Sequence, residues 1–238
     1  MLAKLNSFAT LGLDAHKINV EVDLSQGLPG LTIVGLPDKG VEESRERVRS
    51  AIKNVGARYP LRRITVNLAP ADIKKIGPAY DLPIALGILI SDEQVLPLQN
   101  DSVSIVGELA LDGQVRSVRG VLSCALAAKE YGISQIFVPK ANEQEAALVP
   151  DIEIYPINNL KEIINHFNGT KMIFPITHTN FQSQPAEFTV DFSDIKGQVQ
   201  AKRALEIAAA GGHNILMKGT PGAGKTLLAR ALPSILHQ

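Results

Sequence analysis

Residues 214–232 read Asn-Ile-Leu-Met-Lys-Gly-Thr-Pro-Gly-Ala-Gly-Lys-Thr-Leu-Leu-Ala-Arg-Ala-Leu. Within them Gly219, Thr220, Pro221, Gly222, Ala223, Gly224, Lys225 and Thr226 fit the phosphate-loop pattern G-x-x-x-x-G-K-[ST] in full. Glycines let the backbone curl so that several N–H groups face one phosphate chain. A helix starting near Gly224 adds the positive end of its dipole. Lys225 is expected to reach the β and γ phosphates and the Thr226 hydroxyl to hold Mg²⁺, so the cofactors implied are ATP and Mg²⁺. The pattern carries weight only between a strand and a helix, and 214–218 reads as a short strand and 226–232 as a helix.

Working outward, 12 residues follow Thr226. A P-loop ATPase needs a later strand whose acidic residues hold Mg²⁺ and polarise water, and commonly arginines in trans. These do not fit into that length, so the sequence is expected to stop inside its ATPase domain. Upstream, Val199 to Ala210 forms a strong helical pattern closed by Gly211-Gly212. Residues 168–190 have no clean period and are rich in polar residues and proline, as a linker is. The expected division is a first domain over 1–167, a linker over 168–190 and the start of a P-loop domain over 191–238.

The first domain alternates strand and helix patterns. Lys17 to Leu24 alternates apolar and polar residues as a half-buried strand does. Leu31 to Val34 and Ile64 to Leu68 are further strands. Asp38 is placed to cap a helix on which Val41, Ser44, Val48, Ile52 and Val55 share a face. Leu82 to Ser91 reads as a buried helix. Val103 to Val118 reads as a hairpin turning at Asp112-Gly113. Helices are expected at 120–131, 141–148 and 160–167, with strands at 135–138 and 152–155. The class is α+β, followed by the start of an α/β P-loop domain.

Composition excludes several functions. Of the 238 residues 45% are hydrophobic and 20% charged, which is ordinary for a globular chain. Lys plus Arg equals Asp plus Glu at 24 each, so no global basic field exists. One cysteine, Cys124, excludes an internal disulfide and reads as core filler. The five histidines have no metal-ligand spacing, and no zinc site is expected. No apolar run reaches membrane-span length, so a cytoplasmic protein without a membrane partner is expected.

Two resemblances carry the reading further. Residues 192–226, with Phe192-x-Asp194-Ile195-x-Gly197, the alanine-rich helix and Gly211-Gly212-His213-Asn214, resemble the opening of AAA+ ATPases of the magnesium-chelatase type. That resemblance implies that Ile195 and Gly197 lie against adenine. The first 167 residues resemble the peptidase domain of Lon, through Ile64 to Leu68, Gly77-Pro78, Gly107-Glu108-Leu109-x-Leu111-x-Gly113-x-Val115 and Phe137-Val138-Pro139-Lys140-x-Asn142. In this order the two modules are similar to the YifB/ComM group of magnesium-chelatase-like competence proteins. Membership implies a bacterial cytoplasmic AAA+ protein, hexameric when full length, driving DNA branch migration with ATP during natural transformation.

The departure from Lon concerns chemistry. Lon-type peptidases attack with a serine directly after Gly-Pro and activate it with a lysine in a later helix. Here Gly77-Pro78 is followed by Ala79, and the lysine position falls at or near Leu122. A methyl group is no nucleophile and leucine no base, so the first domain is expected to lack peptidase activity. The alternative function is a non-catalytic oligomerisation or partner-docking module. Arg45, Arg47, Arg49, Lys53, Arg58, Arg62 and Arg63 form a basic cluster, read as a solvated face, a DNA-phosphate track or a subunit contact. Asp72, Lys74, Lys75 and Asp81, around Ala79, read as a surface loop.

Overall fold

The computed structural model describes residues 2–98, 101–178 and 190–236. Two compact units divide the chain, residues 1–180 and 181–238. In the first, β1 (Leu2–Leu11) and β2 (Asp14–Ser25) form an antiparallel hairpin. There follow β3 (Gly30–Val34), α1 (Lys39–Glu42), α2 (Ser44–Asn54), β4 (Arg63–Ala69) and α3 (Asp81–Ser91). Then come β5 (Val103–Ile105), β6 (Glu108–Leu109), β7 (Val115–Arg116), α4 (Val121–Glu130), β8 (Gln135–Pro139), α5 (Glu143–Ala146), β9 (Glu153–Ile157) and α6 (Leu160–Phe167).

A seven-stranded sheet runs in the order β3-β4-β2-β1-β5-β8-β9. The pairs β1 with β2 and β2 with β4 are antiparallel, and the other four pairings are parallel. The result is a mixed α/β unit with a mostly parallel sheet. Strand alternation distributes the core. Ile18, Val20, Val22 and Leu24 of β2 and Ile64, Val66 and Leu68 of β4 enter one apolar cluster together with α2, α3 and α6. The opposite face of these strands carries Lys17, Asn19, Glu21, Asp23, Thr65 and Asn67, and polar side chains there need no partner layer. On β8 and β9 both faces are apolar: Phe137, Tyr155 and Ile157 join the first cluster, while Ile136, Val138 and Ile154 join a second one beneath α4 and α5.

Helix α3 sits inside the first cluster, with every residue from Asp81 to Ser91 buried. Asp38 caps α1, its carboxylate accepting the Val41 N–H at 2.8 Å. Val41, Ser44, Val48 and Ile52 are buried as their spacing predicts. Strand β1 has no counterpart in the sequence reading, because Leu5 to Ala9 are consecutively buried and show no alternation. The hairpin expected over Val103 to Val118 is corrected to its middle part. Only β6 and β7 pair across the Asp112-Gly113 turn, while β5 joins the large sheet beside β1 and β8. Residues after Phe167 still pack on this unit: the Ile173 N–H bonds His166 Nδ1 at 3.0 Å and the Ile176 N–H bonds the Ile154 carbonyl at 2.9 Å. The remainder of the expected linker, 179–189, lies outside the described residues.

The second unit contains a 3-10 turn at Phe192–Asp194, α7 (Val199–Gly211) and α8 (Lys225–Ala231), closed by a second 3-10 turn at Leu232–Ile235. Phe192, Ile195, Leu205, Leu228 and Ala231 form its small core. The strand expected over 214–218 is not formed. A strand requires a partner for its N–H and C=O groups, and none lies beside this segment among the described residues. Leu216 is left 92% exposed.

Candidate functional site

The phosphate loop keeps the backbone form its sequence requires. Gly222 and Gly224 have φ of 82° and 80°, values that side-chain-bearing residues rarely take. Gly224 is the N-cap of α8 and supplies no capping side chain, so first-turn N–H groups are available to an outside acceptor. Lys225 Nζ turns back to donate to the carbonyls of Gly219 at 2.9 Å and Thr220 at 2.8 Å. Its ammonium therefore lies over the loop interior, held by neutral acceptors that an anionic phosphate can replace. Thr226 is exposed, as are Thr220, Pro221 and Gly219, while Ala223 is half-buried. This donor set, an ammonium, a hydroxyl and aligned N–H groups without a carboxylate among them, fits a nucleotide phosphate chain and its Mg²⁺.

The two residues assigned to adenine by resemblance are placed differently. Ile195 is 5% exposed and packs in the small core with Leu228 of α8. Gly197, at φ 67°, faces open space. A capping box holds the segment before them, with the Asp191 side chain accepting the Ser193 N–H at 2.7 Å and the Asp194 side chain accepting the Asp191 N–H at 3.0 Å, and Lys202 Nζ donates to the Ile195 carbonyl at 2.9 Å. His213 closes α7, its N–H bonding the Ala208 carbonyl at 2.9 Å.

In the first unit, Ala79 lies in a 3-10 turn, Pro78–Tyr80, directly before α3. Its carbonyl accepts the Gly107 N–H at 2.9 Å, and the Gly107 carbonyl accepts from Leu82 at 3.0 Å. Leu122, on α4, packs against the second cluster and donates its N–H to Glu145 at 3.0 Å. Neither offers a group that titrates. Cys124 is buried nearby, and burial pushes its thiol up to about 12, which keeps it protonated.

The surface-loop reading of the four charges around Ala79 is corrected for two of them. Asp72 and Lys74 are exposed, but Lys75 and Asp81 are fully buried. Lys75 Nζ bonds the Pro70 carbonyl, and burial lowers its pKa. Asp81 receives Arg47 in a fork, from Nε at 2.6 Å and Nη2 at 3.1 Å, and also the Leu109 N–H at 3.2 Å. Local spacing carries no sign of this burial, because the partners lie 28 and 34 residues away. The basic cluster is divided in the same way. Arg47 is committed to Asp81 and Arg58 to Asp92 at 2.8 Å, and Arg49 lies 5.9 Å from the centre of the Tyr59 ring. Arg45, Lys53, Arg62 and Arg63 form no ion pair among the described residues.

Comparison with known proteins agrees with both halves. Residues 20–142 match the family described as subunit ChlI of Mg-chelatase, and residues 191–238 match magnesium chelatase, subunit ChlI. Competence protein ComM of Haemophilus influenzae is 44% identical over 100% of this chain and 47% of its own length. Uncharacterized protein YifB of Escherichia coli is 45% identical over 99% of this chain and 46% of its own. Lon protease of Brevibacillus choshinensis is 26% identical over 63% of this chain and 20% of its own. The chain thus spans about half the length of the curated relatives that it matches end to end. Among the described residues no helix is long and apolar enough to cross a membrane. With two matching profiles covering most of its residues and relatives of this similarity along its whole length, the chain belongs to the magnesium-chelatase-like YifB/ComM family.

Proposed function

We infer that residues 219–226 bind ATP with Mg²⁺, and that the unit before them is a Lon-like scaffold without peptidase chemistry. The observation that carries the first part is the Lys225 ammonium folded over its own loop beside two left-handed glycines. In the bound state Lys225 and the N–H groups of 222–226 hold phosphate oxygens, and Thr226 contributes its hydroxyl to Mg²⁺, which neutralises phosphate charge. The second part rests on Ala79 and Leu122, whose side chains neither attack a carbonyl nor accept a proton. The domain division proposed from the sequence, 1–167, 168–190 and 191–238, assigns these two roles to separate modules. Within the full-length protein the reading is a cytoplasmic hexameric AAA+ motor acting on DNA. The name of the competence protein ComM supports that extension.

A titration with a fluorescent ATP analogue tests the core of this reading. Saturable, Mg²⁺-dependent binding that falls at least about tenfold in Lys225→Ala is the expected result. Equal binding by the variant overturns it.

A further inference from the structure

A cleft of about 420 Å³ opens in the first unit between the turn that carries Ala79 and the segment after β7. Phe8, Ile76, Pro78, Val106 and Val118 give it apolar walls. This size is at the small end of ligand sites, and a few polar groups among apolar walls are what such sites contain. The walls are pinned. Asp38, besides capping α1, accepts the Gly77 N–H at 3.2 Å. The Asn142 side chain clamps Val118 from both sides, accepting its N–H at 3.0 Å and donating to its carbonyl at 2.9 Å. A Cβ on Gly120 would stand 2.7 Å from Thr10 Cγ2, so only glycine lets this wall close against β1. The shape therefore exists before any ligand arrives.

Three groups give the cleft a direction. Tyr80 is 1% exposed and lines the cavity, yet its hydroxyl has no hydrogen-bond partner among the described residues. That hydroxyl is not sealed from solvent but opens to the cavity, where a ligand atom can bond it. Ser117 directly follows β7, and its backbone N–H and C=O form no backbone hydrogen bond among the described residues. Arg119, exposed at the rim, makes no ion pair, while the neighbouring Glu108 is 3.6 Å from Arg116. One unpaired cation therefore stands beside an apolar cavity and a single residue, Ser117, whose backbone groups are open between the paired Val115 and Val118.

We propose that this cleft binds the C-terminal end of an extended peptide, with an aliphatic last side chain in the cavity and its carboxylate on Arg119. Ser117 pairs with the peptide backbone as an added strand does, and the Tyr80 hydroxyl bonds a polar atom of the last residue. The charge complementarity selects a free carboxylate over an amide. Ala79 belongs to the cavity wall, where a small side chain leaves room for the ligand. This goes beyond the nucleotide reading and does not depend on it.

The test uses the whole 238-residue chain and two probes, acetyl-Gly-Ala-Leu with a free carboxylate and the same tripeptide amidated. Binding is followed by ¹⁵N chemical shifts. The expected result is saturable perturbation at residues 76–80 and 117–119, with amidation weakening affinity at least about fivefold. In Arg119→Gln, an exposed change that leaves the fold intact, acid and amide bind alike. Ala79→Phe fills the cavity and weakens the acid at least about tenfold. Any of three outcomes overturns the proposal: no perturbation at millimolar peptide, equal affinity of acid and amide for the unaltered chain, or a preference for the acid that survives Arg119→Gln.

Discussion

Asp81 and Arg47, 34 residues apart, form a two-bond fork at 2.6 and 3.1 Å that fastens α2 to the start of α3. The same carboxylate takes the Leu109 N–H of β6, and Arg47 also donates to the Gly40 carbonyl at 2.8 Å. Burial raises the Asp81 pKa from 3.8 to about 6 against the opposing pull of Arg47. The folded protein therefore holds a proton that the unfolded chain releases at lower pH. The stability this contributes is full below 3.8 and is lost as pH rises through about 6.

Arg47→Gln makes that loss steeper. At pH 7.5 the variant must either keep an unpaired carboxylate inside the protein or take up a proton far above the pH at which the unfolded chain binds one, costing about 3–5 kcal/mol. At pH 5 Asp81 is mostly protonated and the cost shrinks. Urea melts of the two proteins at both pH values check this, and a difference independent of pH contradicts it.

Asp38→Ala removes the cap of α1 and the clamp on Gly77 together. A loss of about 1–2 kcal/mol is expected, with Asp38→Asn retaining most of the stability. Thermal melts of both variants provide the comparison.

Ala79→Ser restores no peptidase activity. The new hydroxyl has no base, since Leu122 occupies the position where resemblance places the lysine, and a neutral serine is a poor nucleophile. Fluorogenic peptides incubated with the variant and with a heat-treated control are expected to be cleaved equally slowly.

Ending the first unit at residue 167 removes the contacts of Ile173 and Ile176, both packed against its core. A fragment of residues 1–178 is therefore expected to melt several degrees above one of 1–167, since about 1 kcal/mol moves a domain of this size by about 2–4 °C.

What was legible in the sequence was what local spacing controls. The β2 and β4 alternation, the α2 face, α6 and the phosphate loop all depend on residues a few positions apart. Strand β1 was not legible because both its faces are covered by elements that follow it in the chain. The hairpin over 103–118 was overextended because a three-residue strand in a parallel sheet has no periodicity to display. Asp81 reads as a loop charge because its partners, Arg47 and the Leu109 N–H, are set by tertiary packing. At the candidate site the motif alone singles out Gly219 to Thr226, and the positive φ of Gly222 and Gly224 accords with a loop of that pattern. The cleft at Tyr80 and Arg119 had no signal, since it depends on three separate chain segments meeting.

The complete burial of α3 also has a consequence for the order of synthesis. Strands β1 and β2 leave the ribosome before α3, and the helix that covers their apolar face is finished only at Ser91. Until then Ile18, Val20 and Val22 have nothing to cover them, and α3 itself has no polar face to show to water. The nascent chain is sticky over this interval, and slowing translation between residues 25 and 91 lengthens its dependence on holding chaperones.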